Sequence, residues 1–122
     1  MLGRLLVLSG LLVIILGVVT TGTGPHAGDD VAKRFNLDIE IVAWMHADAV
    51  WLFTGLLVAN FIYNRSSQLN RIIGLVGTQI IVGYSQWFTD LPWILVSIHV
   101  ALAITMWVLL VKYQTLIKQG VI

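Results

Sequence analysis

Long apolar runs divide this chain, at roughly Leu5–Thr20, Ile39–Tyr63, Ile72–Phe88 and Trp93–Tyr113. A helix needs about 20 mostly apolar residues to cross a bilayer, and each run approaches or exceeds that. The runs are continuous rather than alternating, which excludes a membrane β-barrel. Between them lie a turn-rich segment from Thr21 to Leu37 containing T-G-T-G-P-H-A-G-D-D, a polar loop from Asn64 to Asn70, and a tight turn from Thr89 to Pro92. The pattern predicts an all-α, polytopic membrane protein: one antiparallel four-transmembrane-helix bundle filling residues 1–122, with lipid as the partner of its outer faces.

Composition sharpens this picture. The chain has 122 residues, 58% hydrophobic and 11% charged, and a mean hydropathy of +0.92. Soluble domains are about 45–50% apolar and about 25% charged, and a soluble fold of this size could not bury so much apolar surface. The length excludes a large multidomain enzyme. A net charge of +1 gives no concentrated basic face, which argues against nucleic acid. Cysteine is absent. That removes disulfides, zinc-thiolate sites, iron–sulfur clusters and covalent c-type heme attachment.

Charge also orients the spans. Arg4, Arg65, Arg71, Lys112 and Lys118 fall at the N-terminus, in the second loop and at the C-terminal end, against Lys33 and Arg34 in the first loop. The positive-inside rule then places both termini on the cytoplasmic side of the cell membrane. Asp29, Asp30, Asp38, Glu40 and Asp90 all fall on the outer side, and Trp44, Trp87 and Trp93 suit an aromatic belt there. Arg4 followed by Leu5–Leu16 has the look of a signal peptide, but no small-residue cleavage site follows, so a retained helix is expected.

Two histidines stand out within the spans. His46 lies eight residues past Asp38, and His99 six past Trp93. At ~1.5 Å per residue, these are depths of about 12 and about 9 Å on two helices of the same direction. An ionisable residue inside a membrane is costly to keep and is a functional candidate by default. A pair of imidazoles at one level suits axial ligation of a heme iron. The alternatives are histidines hydrogen-bonded across the bundle or set in a proton path.

Other metals and ligands fit less well. A zinc site normally takes a third or fourth protein ligand. Asp48 is near, but two residues along a helix is about 200° around it, which turns Asp48 away from His46. Met45 and Met106 could ligate heme iron, although packing is the commoner use of methionine. Asp48 itself lies near mid-membrane. It is either a protonated or hydrogen-bonded packing residue or a proton-handling group facing a second protomer or another subunit. His26 reads as ordinary turn chemistry or as a neighbour of heme propionates or a metal.

A heme between helices requires small residues nearby. Ala43, Ala47 and Ala49 surround His46, Ala101 and Ala103 follow His99, and Gly74, Gly77 and Gly83 line the third span. Gly3, Gly10, Gly17 and Gly24 recur every seven residues, so the first three mark one face of the first helix. Such residues also simply let membrane helices approach. Gln79, Gly83 and Gln86 share one face of the third helix, as hydrogen-bonding glue or as contacts to a buried ligand. A weak repeat relates the halves: a glycine near the outer end (Gly17, Gly83), a proline in the turn (Pro25, Pro92), then a helix with a histidine near its start.

The motifs L-G-V-V-T-T-G-T-G-P-H-A-G-D (Leu16–Asp29), M-H-A-D (Met45–Asp48), V-G-Y-S-Q-W-F-T-D-L-P (Val82–Pro92) and S-I-H-V (Ser97–Val100) resemble the heme A synthase family. The likeness is to the C-terminal four-helix half of the usual eight-helix protein, and it covers nearly all of this chain. It implies a membrane oxidoreductase of heme biosynthesis and cytochrome oxidase assembly, which oxidises the C8 methyl of heme O to the formyl group of heme A. It also implies a bound heme b whose iron is ligated by His46 and His99. The family's Glu-x-x-His-Arg pattern is not matched, since Ala43 stands three residues before His46 and Ala47 follows it. Glu40 is no matched replacement, and the outer-loop cysteines of many members are absent. The catalytic residues are therefore not identified. The resemblance leaves a compact member that works as a homodimer, a fragment or one polypeptide of a split enzyme, and a half-size relative reused as a heme-carrying subunit. The competing reading is a non-enzymatic b-type cytochrome subunit that passes electrons or anchors a respiratory complex. A third is a heme-free assembly partner.

Overall fold

The computed structural model describes residues 1–25, 31 and 33–121. They form four helices: α1 (Leu2–Thr23), α2 (Ile39–Tyr63), α3 (Ser67–Phe88) and α4 (Trp93–Lys118). His26, Asp29 and Asp30 lie outside the described residues.

Local chemistry sets the helix ends. The Asp38 carboxylate accepts hydrogen bonds from the backbone N–H groups of Glu40 and Ile41, at 2.8 and 3.3 Å, and so caps α2. The Ser66 hydroxyl caps α3 by accepting from Leu69 N–H at 3.2 Å. Pro92 precedes α4, where its fixed φ suits a helix start. Gly120, at φ 68°, takes the left-handed conformation that commonly ends a helix.

The cap at Ser66 corrects the loop expected from Asn64 to Asn70. Helix begins at Ser67, because Gln68 and Leu69 gain more by packing inward than as loop, and both are buried. Likewise α1 carries the chain through Thr23, so the first connection is shorter than the polar residues alone suggested.

Three helices, α1, α2 and α4, are long and apolar enough to cross a membrane. The expected third span differs. At 22 residues α3 has the length, but Gln68, Asn70, Arg71, Gln79 and Gln86 make it less apolar. Large hydrophobic side chains cover the outside of the other three, among them Leu8, Val18, Trp51, Ile104 and Val108. A helix apolar all round belongs in a protein core or in lipid.

The helices form a ring in which each touches its chain neighbours and α1 touches α4, with the contact between α2 and α3 the lightest. Among the described residues, the diagonal pairs α1–α3 and α2–α4 make no close backbone approach. Contacts run in opposite senses along neighbours. Thr20, late in α1, donates to the Val42 carbonyl, early in α2, at 3.2 Å. Asn60, late in α2, donates to the Leu2 carbonyl, early in α1, at 3.4 Å. Gln68, early in α3, donates to the Leu109 carbonyl of α4 at 3.3 Å. One hydrophobic cluster fills the centre, built on Leu6, Val13, Phe53, Leu57, Ile72, Met106 and Leu110.

Candidate functional site

His46 and His99 come from the diagonal helices α2 and α4, whose backbones do not meet. Their side chains reach across the interior instead, with ring centroids 6.5 Å apart and ring planes at 79°. Counting residues from the helix starts places them at one depth, and the structure brings them together there. Each ring rests on a glycine of a flanking helix. A Cβ on Gly17 of α1 would lie 3.1 Å from Cε1 of His46, and one on Gly83 of α3 would lie 3.3 Å from Cε1 of His99. The loose repeat in the sequence therefore has a physical counterpart: each half pairs one glycine with one histidine.

The ring nitrogens are the informative atoms. Nδ1 of His46 and Nδ1 of His99 are both buried without a well-formed hydrogen bond, and the backbone of Val13 on α1 lies within polar reach of the His46 ring. Leaving a buried polar atom unpaired costs about 1–3 kcal/mol. An imidazole nitrogen binds a first-row metal at about 2.0–2.1 Å, so two rings on opposite sides of one ion have centroids roughly 6 Å apart. The observed separation suits this. It also falls within the about 4.5–7 Å of direct edge-to-face ring contacts. The two buried nitrogens are the atoms of the pair open to a ligand. Neutral imidazole donors fit an iron, copper or zinc ion. The glycines at the flanking positions make room for the imidazole rings themselves.

The surroundings are sided. Towards the helix ends joined by residues 24–38 and 89–92, the interior opens into a cavity of about 40 Å³ lined by Thr20, Thr21, Gln86, Leu91 and Val96 among others. In the other direction Val13, Phe53, Met106 and Leu110 close the interior with apolar groups. On α3, Gln79 is buried and donates through Nε2 to the His99 carbonyl at 3.1 Å, fixing the backbone that carries the ring. Oε1 of Gln79 and Oε1 of Gln86 are buried without a partner.

Other candidates sit elsewhere. Asp48 is exposed on the outside of α2, on the far side of the helix from the ring of His46, as its phase required. Met45 is half exposed, whereas Met106 belongs to the core cluster two turns beyond His99. Gly74 and Gly77 correct the expectation that small residues of α3 gather at the site. Both are exposed, and a Cβ on either would meet nothing within 4 Å. They fall on the outer phase of the helix, and only Gly83 faces the histidines. Gly3 and Gly10 do mark one inward face of α1, since added Cβ atoms would lie 2.9 Å from Ile117 and 2.7 Å from Leu110.

A second polar cluster is one that sequence reasoning missed. At the opposite end, Asn60 donates to the Leu56 carbonyl at 2.8 Å and to that of Leu2. The Tyr113 hydroxyl donates to Asn60 Oδ1 at 3.5 Å. The signal is present in the chain. Asn60 continues the inward stripe His46, Ala49, Phe53, Leu57 at helical spacing.

No protein family, curated protein or solved structure matches the chain. The functional reading therefore rests on the residues themselves.

Proposed function

We propose that this chain is a membrane-embedded heme-binding protein, an antiparallel four-helix bundle crossing the cell membrane with both termini in the cytoplasm. His46 and His99 would hold one b-type heme. The observation that supports this is the meeting of two imidazoles from helices whose backbones do not meet, each with a buried Nδ1 and each backed by a glycine. When bound, the heme supplies one-electron chemistry.

The chain's own residues do the rest. Gln79 anchors the backbone at His99. Thr20 ties the end of α1 to α2 one turn from His46. Gly17 and Gly83 keep the flanking helices clear of the rings. The apolar cluster inward of the pair excludes water from that side. The lightly packed seam between α2 and α3 is where the helices part at least cost to admit a planar ligand.

The motif resemblance extends this to heme A synthase, with this chain as the cofactor-holding half that oxidises heme O alone as a homodimer or with another membrane subunit. One observation favours the second reading, an electron-carrying cytochrome b subunit. The nearest acidic side chains in sequence, Glu40 and Asp48, are both exposed, so neither carboxylate is set to move a proton at the histidines. Supplying heme O to membranes containing the chain, and extracting the hemes for mass analysis, tests the choice. Formyl heme, lost in His46→Ala, supports the synthase. Unchanged heme O with a retained b-type spectrum supports the electron carrier.

A further inference from the structure

The cavity beyond the histidines has the attributes of a solvent site rather than of packing loss. Its walls come from all four helices and the α3–α4 turn. Oε1 of Gln86 is buried and unpartnered, and Gln86, Thr20 and Thr21 all line this space. A volume of about 40 Å³ exceeds what one water needs, and a buried water requires about two to four polar partners. Gln86 is one turn outward from Gly83, and Thr20 and Thr21 about one turn outward from Gly17. The cavity thus lies about one helical turn outward of the ring pair.

The roof is built with strain. Asp90 and Leu91 both adopt positive φ, 61° and 56°, a conformation unfavourable for side-chain-bearing residues. Leu91 N–H donates to the Gln86 carbonyl at 2.7 Å. This bond holds Leu91 over the cavity and couples the turn to the helix that carries the amide. Strained backbone persists where the surroundings over-determine it, and it clusters at functional sites. Inward of the rings Val13, Phe53, Met106 and Leu110 pack the interior, and Gln79 is a buried polar side chain on that side.

We propose that this cavity is a water-binding site anchored by Gln86, and that it gives the histidine pair solvent contact from the turn-bearing end of the bundle. The proposal does not depend on what the histidines hold.

Water-to-protein magnetisation transfer in nanodiscs tests it on the full chain, as purified and under reducing conditions. A visible spectrum of the same sample reports separately on heme. Transfer to the Gln86 side-chain amide is expected to be about tenfold faster than to the core amide of Phe53, as for a solvated against a closed site. Filling the cavity from either wall, by Leu91→Phe or Val96→Phe, is expected to bring Gln86 down to the Phe53 rate while the Phe53 signals stay in place. Gln86 exchanging as slowly as Phe53 in the parent chain overturns the proposal. So does an unchanged Gln86 rate in whichever filled variant folds.

Discussion

Gly17 of α1 lies against the His46 ring of α2, so close that a Cβ there would stand 3.1 Å from Cε1. That contact makes glycine a requirement of the site. A methyl group forces the ring or the helix to give by a few tenths of an ångström, and a branched side chain displaces it. Gly17→Val and Gly83→Val are expected to lose the heme spectrum while keeping their far-UV helicity, and Gly17→Ala to weaken it. The reading fails if both valine variants bind heme as the parent does.

The opposite end of the bundle is held by polar contacts. Asn60 joins α2 to the Leu2 carbonyl of α1 and accepts from Tyr113 of α4. Interhelical hydrogen bonds in membranes average about 0.6 kcal/mol. Tyr113→Phe is expected to lower stability by about that amount in a detergent unfolding titration. Asn60→Leu removes two contacts and is expected to cost more. Neither is expected to shift a heme spectrum, because both lie far from the histidines.

The α3–α4 turn carries a backbone signature open to test. Asp90 sits at φ 61°, a region that β-branched residues avoid. Asp90→Val is expected to be less stable than Asp90→Gly by roughly 1–2 kcal/mol, measured as a difference in unfolding midpoint. Equal stabilities would contradict the left-handed turn.

Asp48 separates cost from function. A carboxylate at the centre of a spanning helix costs about 2.5–3.5 kcal/mol on insertion scales, and Asp48 is exposed on α2. Asp48→Leu is expected to insert more efficiently in a translocon assay and to leave the histidine site spectrally unchanged. Loss of the heme signal in Asp48→Leu would place the carboxylate in the site after all.

The extent to which these features are legible in the sequence follows from helix geometry. A fixed rise per residue is enough to put His46 and His99 at one depth, and a fixed angular step turns Asp48 away. The same step sends Gly74 and Gly77 outward once their phase is compared with that of Gly83. The start of α3 is hidden because Ser67, Gln68 and Asn70 look like loop, and only the tertiary burial of Gln68 and Leu69 makes them helix. Asn60 is hidden by the long apolar run around it. The reach of two rings between helices whose backbones do not meet is a tertiary fact that no local pattern carries.

The central claim is that His46 and His99 ligate one heme. A reduced-minus-oxidised visible spectrum of the purified chain, with a pyridine hemochrome to type the heme, tests it most directly. One low-spin b-type heme per chain, lost in His46→Ala and in His99→Ala, is the predicted result. A heme-free protein from cells with ample heme, or a heme spectrum that survives both substitutions, would contradict it.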